Sequence, residues 1–126
     1  MQVYVAENYT DMSRKAANIL SAQVILKPDT VMGLATGSSP VGTYQQLIEW
    51  YKKGDLDFAQ VRTVNLDEYA GLAPDHSQSY RRFMQENFFD HINIPRENTH
   101  VPNGLAPDLE AECRRYNQVI QSLGGI

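Results

Sequence analysis

Thr36-Gly37-Ser38-Ser39 sets three hydroxyls around a glycine, directly after an apolar run and directly before Pro40. A glycine lets the backbone approach a ligand closely. If a helix begins behind this turn, its free amide N–H groups and its dipole favour an anion there. The chemistry suggested is phosphate binding. No Gly-Lys-Ser/Thr closes the turn, so it is not a Walker A loop. Gly33, Gly37 and Gly42 are separated by three and four residues, which excludes the dinucleotide fingerprint. A phosphomonoester therefore suits the turn better than ATP or NAD. The plainer alternative is a strand-to-helix turn with a good cap.

Asp67 and Glu68 form the second candidate pair. Adjacent carboxylates at the end of a strand point in different directions and need not share a proton. Asp67 facing a cleft could act as a general base next to a carbonyl, given partial desolvation. Glu68 could orient a neighbour or support the loop. Tyr69 could hydrogen-bond a sugar hydroxyl or pack with its own hydroxyl satisfied. The alternative for the acidic pair is a solvated turn. His76, His91 and His100 share no metal-ligand spacing, so no metal site is expected. The Tyr80, Phe83, Phe88, Phe89 stripe reads as core, and Cys113 as a small buried residue.

The elements that must position these groups alternate between strand and helix. Val3-Tyr4-Val5-Ala6 reads as a short strand. Asn8 can cap a helix to about Leu26, with Met12, Ala16, Ile19, Leu20 and Val24 on one buried face. Val31 to Ala35 is apolar throughout and fits a strand covered on both faces. Ser39 suits the N-cap, and Pro40 the first position, of a helix to about Lys53 that Gly54 stops. Val61 to Leu66 reads as a further strand, and Ser77 as the cap of the helix that follows. Ile92 to Val101 is extended or irregular. Pro107-Asp108 opens a last helix with Leu109, Cys113, Tyr116 and Ile120 inward, and Ile126 reads as the start of another strand.

This alternation implies an α/β fold of three layers, a Rossmann-like parallel sheet flanked by helices. Ligands of such sheets bind outside the carboxyl ends of the strands. The turn at Thr36 and the loop at Asp67 both follow strand ends, so they should share one rim.

Composition narrows the function classes. A chain of 126 residues with 42% hydrophobic content fits one globular domain. No run approaches the roughly 18 apolar residues of a membrane span, and the first residues do not resemble a signal peptide. One cysteine excludes an internal disulfide and, with no export signal, favours a reducing cytoplasmic setting. A net charge of −4 with scattered basic residues argues against a nucleic-acid partner.

The run from Gly33 to Tyr44 resembles the phosphate-loop region of the glucosamine-6-phosphate deaminase family. So does Asn65-Leu66-Asp67-Glu68-Tyr69-Ala70-Gly71-Leu72, followed by His76, Ser79-Tyr80, Phe83-Met84 and Asn87-Phe88-Phe89-Asp90-His91. Asn103-Gly104 and Glu112-Cys113-Arg114 are similar too. The family converts glucosamine 6-phosphate to fructose 6-phosphate and ammonia without a metal or organic cofactor. The resemblance implies that Asp67 takes the proton from C2 and returns it at C1. It implies that Thr36, Gly37, Ser38 and Ser39 hold the 6-phosphate, with Glu68 and Tyr69 also at the substrate. The expected partner is a small sugar phosphate, with a homo-oligomer left open.

Family members run well past Ile126. Their ring-opening Asp, His and Glu, and the cations that complete the phosphate site, have no counterpart before it. Residues 1–126 are therefore expected to be the N-terminal portion of a single isomerase/deaminase domain, cut short and inactive alone. A related hydrolase, 6-phosphogluconolactonase, is the first alternative, although its pattern puts a basic residue at the position of Tyr69. A non-catalytic phosphosugar-binding fragment is the second.

Overall fold

A computed structural model describes all of residues 1–126. The first helix, α1, spans Tyr9–Leu26 and opens as its sequence dictates, with the Asn8 side chain accepting the Asp11 amide at 2.9 Å. Its buried residues are Ser13, Ala17 and Val24; of the apolar set expected, Val24 is buried and Leu20 packs against the core, while Ser13 and Ala17 turn inward in place of Met12 and Ala16. Met12 and Ile19 are exposed. The small Ser13 and Ala17 win the inner face because α1 crosses close to α2 (Val41–Lys52). A Cβ at Gly42 of α2 would lie 2.3 Å from Ser13 Oγ.

Three parallel strands follow in the order β1 (Val31–Leu34), β2 (Arg62–Asn65) and β3 (Thr99–His100). The register pairs Met32 with Thr63 and Leu34 with Asn65. Burial along β1 alternates: Met32 and Leu34 are buried, while Gly33 is exposed with Ile126 beside it. The coverage of both faces expected from the apolar run is thus met on one face only. Helices α1, α2 and α3 (Tyr80–Asn87) share that face and its core, where Tyr44 stacks on Phe88 at 4.9 Å and Phe58 meets Phe88 edge-on. Val64 and Tyr116 of α4 (Leu109–Ser122) are buried outside this cluster.

Other expectations shift for identifiable reasons. Val3–Ala6 forms no strand, because no sheet edge pairs with it. Val3 and Val5 stay exposed, and the Val5 carbonyl accepts from Lys15 Nζ instead. Ser39 does not cap α2; Pro40 holds the cap position with no side-chain bond. The α3 cap is Ser79 rather than Ser77, its Oγ accepting the Arg82 amide and donating to the Pro74 carbonyl. In α4, Leu109 and Cys113 are exposed, while Glu112 is buried with Tyr116. Glu112 can be inside because its carboxylate is fully engaged, by Arg115 at 2.6 and 2.7 Å and by the Asn103 amide at 2.8 Å. Short 3-10 turns at Phe89–His91 and Arg96–Asn98 fill the stretch before β3.

Candidate active site

Because β1 and β2 are parallel and paired up to Leu34 and Asn65, their following loops leave the sheet on one rim. Asn65, fully buried, ties the two exits together by donating from Nδ2 to the Leu34 carbonyl at 2.8 Å. Its own carbonyl lies 2.6 Å from the Tyr116 hydroxyl, which is also 2.9 Å from the His100 carbonyl. All three strand ends are therefore clasped by buried side chains, and burial pushes the Tyr116 phenol up to about 12.

The turn after β1 is fixed by two tyrosines. Tyr44 donates to the Ala35 carbonyl from within the core, and burial raises its phenol well above its ordinary range. Tyr9 of α1 approaches from the other side. Its hydroxyl lies 2.9 Å from the Ser38 carbonyl and 3.3 Å from that of Ser39, and it accepts the Gly42 amide at 2.8 Å. Gly37 takes φ +93°, a left-handed conformation that glycine adopts without strain. The amides of Gly37, Ser38 and Ser39 donate to no protein acceptor, and the three residues are exposed. An anion can reach them at the start of α2.

The loop after β2 is equally constrained. Glu68 Oε1 accepts the amides of Tyr69 and Tyr80 at 2.8 Å, and Oε2 accepts that of Arg81 at 2.9 Å. Its carboxylate thus satisfies the first turn of α3, where negative charge is favoured. Below the loop, Gly71 N donates to the Gly104 carbonyl at 2.7 Å. A Cβ at Gly104 would lie 2.2 Å from the Tyr69 carbonyl oxygen, so glycine alone allows this approach.

Asp67 and Tyr69 are exposed, and Glu68 is half-buried. Asp67 lines a cavity of about 340 Å3 with Asn103, Gly104, Cys113 and Asn117. Residues 36–39 do not line it; Thr36 is half-buried and Gly37, Ser38 and Ser39 are exposed. The link between the two loops is Tyr80. Its hydroxyl donates to that of Tyr69 at 3.3 Å. The Tyr69 bond is the main cause that raises the Tyr80 phenol, the Thr36 hydroxyl works against it, and the Asp67 charge adds to it. Tyr69 and Tyr80 are thus in direct contact, and Thr36 and Asp67 lie near enough to act on the Tyr80 phenol. Glu68 points away to the backbone, and the residues around Asp67 leave it in solvent rather than desolvating it.

Sequence reasoning left Tyr9 and the Tyr44 hydroxyl unassigned and read Tyr80 and Tyr116 as packing residues. The available signal was their type: a tyrosine at a buried helical position needs a partner for its hydroxyl. Here those partners are the backbone carbonyls and side chains of the rim.

The parallel α/β layer thus brings the free amides of the Gly37–Ser39 turn and the Asp67 carboxylate to one rim. The chain belongs to the glucosamine-6-phosphate isomerase/6-phosphogluconolactonase family, whose profile matches residues 5–125. It is 68% identical over all 126 residues to glucosamine-6-phosphate deaminase of Lachnoclostridium phytofermentans, covering 53% of that protein. It is 59% identical to the deaminase of a Thermoanaerobacter species, covering 50% of it. Among solved structures, a monomeric glucosamine-6-phosphate deaminase superposes with a TM-score of 0.96 at 48% identity, over 99% of this chain and 52% of that one. The 6-phosphogluconolactonase of Thermotoga maritima shares the fold, with a TM-score of 0.72 at 22% identity over 94% of this chain and 52% of its own. The chain spans about half the length of the curated relatives it matches.

Proposed function

We propose that this chain carries the phosphate-anchoring and proton-transferring half of a glucosamine-6-phosphate deaminase domain, its residues 1–126 forming the N-terminal portion. The substrate phosphate sits on the amides of Gly37, Ser38 and Ser39 and the hydroxyls of Thr36, Ser38 and Ser39. Asp67 removes the C2 proton of the open-chain sugar. Electrons shift to give the enolamine, and the proton returns at C1. Water then adds to the C2 imine, ammonia leaves, and fructose 6-phosphate remains. No metal or organic cofactor enters this sequence of steps. Tyr69 bonds a sugar hydroxyl, and Glu68 holds the loop from behind.

The observation that carries the reading is that β1 and β2, parallel, paired up to Leu34 and Asn65 and tied there by the Asn65 side chain, release the Thr36 turn and the Asp67 loop on one rim. A phosphate held at the turn would anchor the sugar while the base acts, and such positioning contributes several kcal/mol, on the order of 7 or more in favourable cases. The deaminase reading is favoured over the lactonase by Tyr69, where the lactonase pattern has a basic residue. Ring opening and the remaining phosphate contacts fall to residues outside these 126, so the chain alone releases no ammonia. The setting is cytoplasmic, and no helix here is long and apolar enough to cross a membrane.

The test has two arms. Glucosamine 6-phosphate titrated into the chain should shift the amide resonances of Gly37 and Ser38 saturably, and silence at millimolar sugar phosphate would remove the anchor. In the shortest longer polypeptide containing these residues that releases ammonia, Asp67→Asn should abolish turnover with substrate affinity nearly unchanged. Normal turnover in that variant would remove Asp67 as the base.

A further inference from the structure

A second cavity, of about 600 Å3, opens along β3, apart from the Thr36 turn. Its volume suits a small-molecule ligand. Its wall brings together three arginines distant in sequence: Arg81 from α3, Arg96 from the 3-10 turn before β3, and Arg115 from α4. We propose that these three arginines form a binding site for a small soluble phosphate-bearing anion, distinct from the Gly37–Ser39 turn although its cavity adjoins that of Asp67 through Glu68, Asn103, Gly104 and Tyr116.

Arg81 is half-buried and held in place. Its Nη1 donates to the Thr99 carbonyl at 3.1 Å, and its guanidinium lies 5.8 Å from the Phe89 ring centroid. No carboxylate lies within 4.0 Å of Arg81 or of Arg96. The Arg96 side chain makes no hydrogen bond within the protein, although its backbone carbonyl accepts from Thr99. Partly buried charges are normally paired, so a fixed guanidinium facing a second unpaired one is an electrostatic deficit that an anion would fill.

The deficit shows in neighbouring groups. Burial lowers Arg81 below the usual guanidinium range, and the Arg96 charge lowers it further. His100, in the same wall, is held below its ordinary value by burial and by the charges of Arg81 and Arg115.

The Asp90 charge works in the opposite direction on Arg81, and Asp90, Asp75 and Glu86 line a neighbouring cavity with Arg81 and Arg96, but none comes within 4.0 Å of either arginine. Both oxygens of Glu68 are committed to backbone amides. Glu112 is bound by Arg115 through Nε and Nη2, which leaves the Nη1 of Arg115 without a partner. Glu97 lines the cavity but is exposed and pairs with neither free arginine. Guanidinium forks match phosphate oxygens in pairs, which selects phosphate over a simple halide. Val101 and Val119 give the cavity an apolar side on which the carbon part of a phosphate ester can lie.

The experiment uses pyrophosphate as probe on the 126-residue chain, at about 0.15 M salt, where loose surface attraction is screened beyond roughly 8 Å. Nitrogen-detected NMR follows the Nε–Hε groups of Arg81, Arg96 and Arg115 and the amides of Thr99, His100 and Gly37–Ser39. The Arg81, Arg96 and His100 signals should shift saturably. Arg96→Gln, at an exposed position, should weaken this binding about tenfold. Arg114→Gln, the same charge change on α4 outside the cavity, should leave it unchanged. Shifts confined to Gly37–Ser39, or equal affinities in the two variants, would overturn the proposal.

Discussion

The Tyr9 hydroxyl accepts the Gly42 amide at 2.8 Å, so a side chain of α1 caps α2, a helix that has no capping side chain of its own. The same hydroxyl lies within donating distance of the Ser38 and Ser39 carbonyls, which faces those carbonyls toward α1. Tyr9 thereby sets the conformation of the turn whose amides remain free for an anion.

Tyr9→Phe keeps the ring and removes only the hydroxyl. Loss of a cap typically costs about 1 kcal/mol, and a comparable loss is expected in urea unfolding. The variant should also weaken glucosamine 6-phosphate shifts at Gly37 and Ser38, because the turn loses its clamp. Unchanged stability and unchanged shifts together would show that the cap carries no energy.

This cap marks the limit of what the sequence discloses. The Asn8 cap, the Gly54 stop and, to within one residue, the strand ends at Leu34 and Asn65 could be read because each depends on local residue types. That Thr36 and Asp67 leave one rim also followed, since parallel strands joined by a crossover helix have their carboxyl ends together. The α1 face did not follow, because hydropathy ranks Met12 and Ile19 above Ser13 and cannot see that a close helix crossing at Gly42 demands small residues. Glu112 and Cys113 exchanged roles for a similar reason: a buried carboxylate needs Arg115 and the Asn103 amide, and the latter belongs to another loop. The Arg81, Arg96 and Arg115 grouping depends on tertiary structure alone.

The Glu112 ion pair predicts an acid limit on stability. Arg115 holds the Glu112 carboxyl below its ordinary value of 4.5, helped by the Asn103 amide and opposed by burial. A carboxyl depressed in the folded state stabilises it above the unfolded value, and that contribution is lost as pH falls through the folded one. Stability should therefore decline below about pH 4.5 as this group takes up its proton. Glu112→Gln should be less stable than the parent near neutral pH and show a shallower decline in acid. Thermal melts between neutral pH and the acid range would measure both. A parent and variant with parallel profiles would show that the pair adds nothing.

Gly104 links that ion pair to the Asp67 loop. Glu112 fixes Asn103, and the next residue lies directly under the Tyr69 and Leu72 carbonyls, where a Cβ would fall 2.2 and 2.9 Å from the two oxygens. Both obstacles are backbone, so no side-chain rotation relieves the contact. Gly104→Ala must lift the loop or drop the turn beneath it, and overpacking of this kind costs about 1–3 kcal/mol. The displaced segment carries Glu68, so its bonds to the Tyr80 and Arg81 amides should loosen as well. Hydrogen exchange should accelerate at Gly71, Tyr80 and Arg81 while the amides of β1 and β2 keep their protection. A variant that melts with the parent and leaves those three amides slow would show that the loop does not rest on Gly104. If the proposed deaminase reading holds, the same substitution in an active polypeptide should lower kcat more than it raises KM, since it moves Asp67 while leaving the Gly37–Ser39 turn in place.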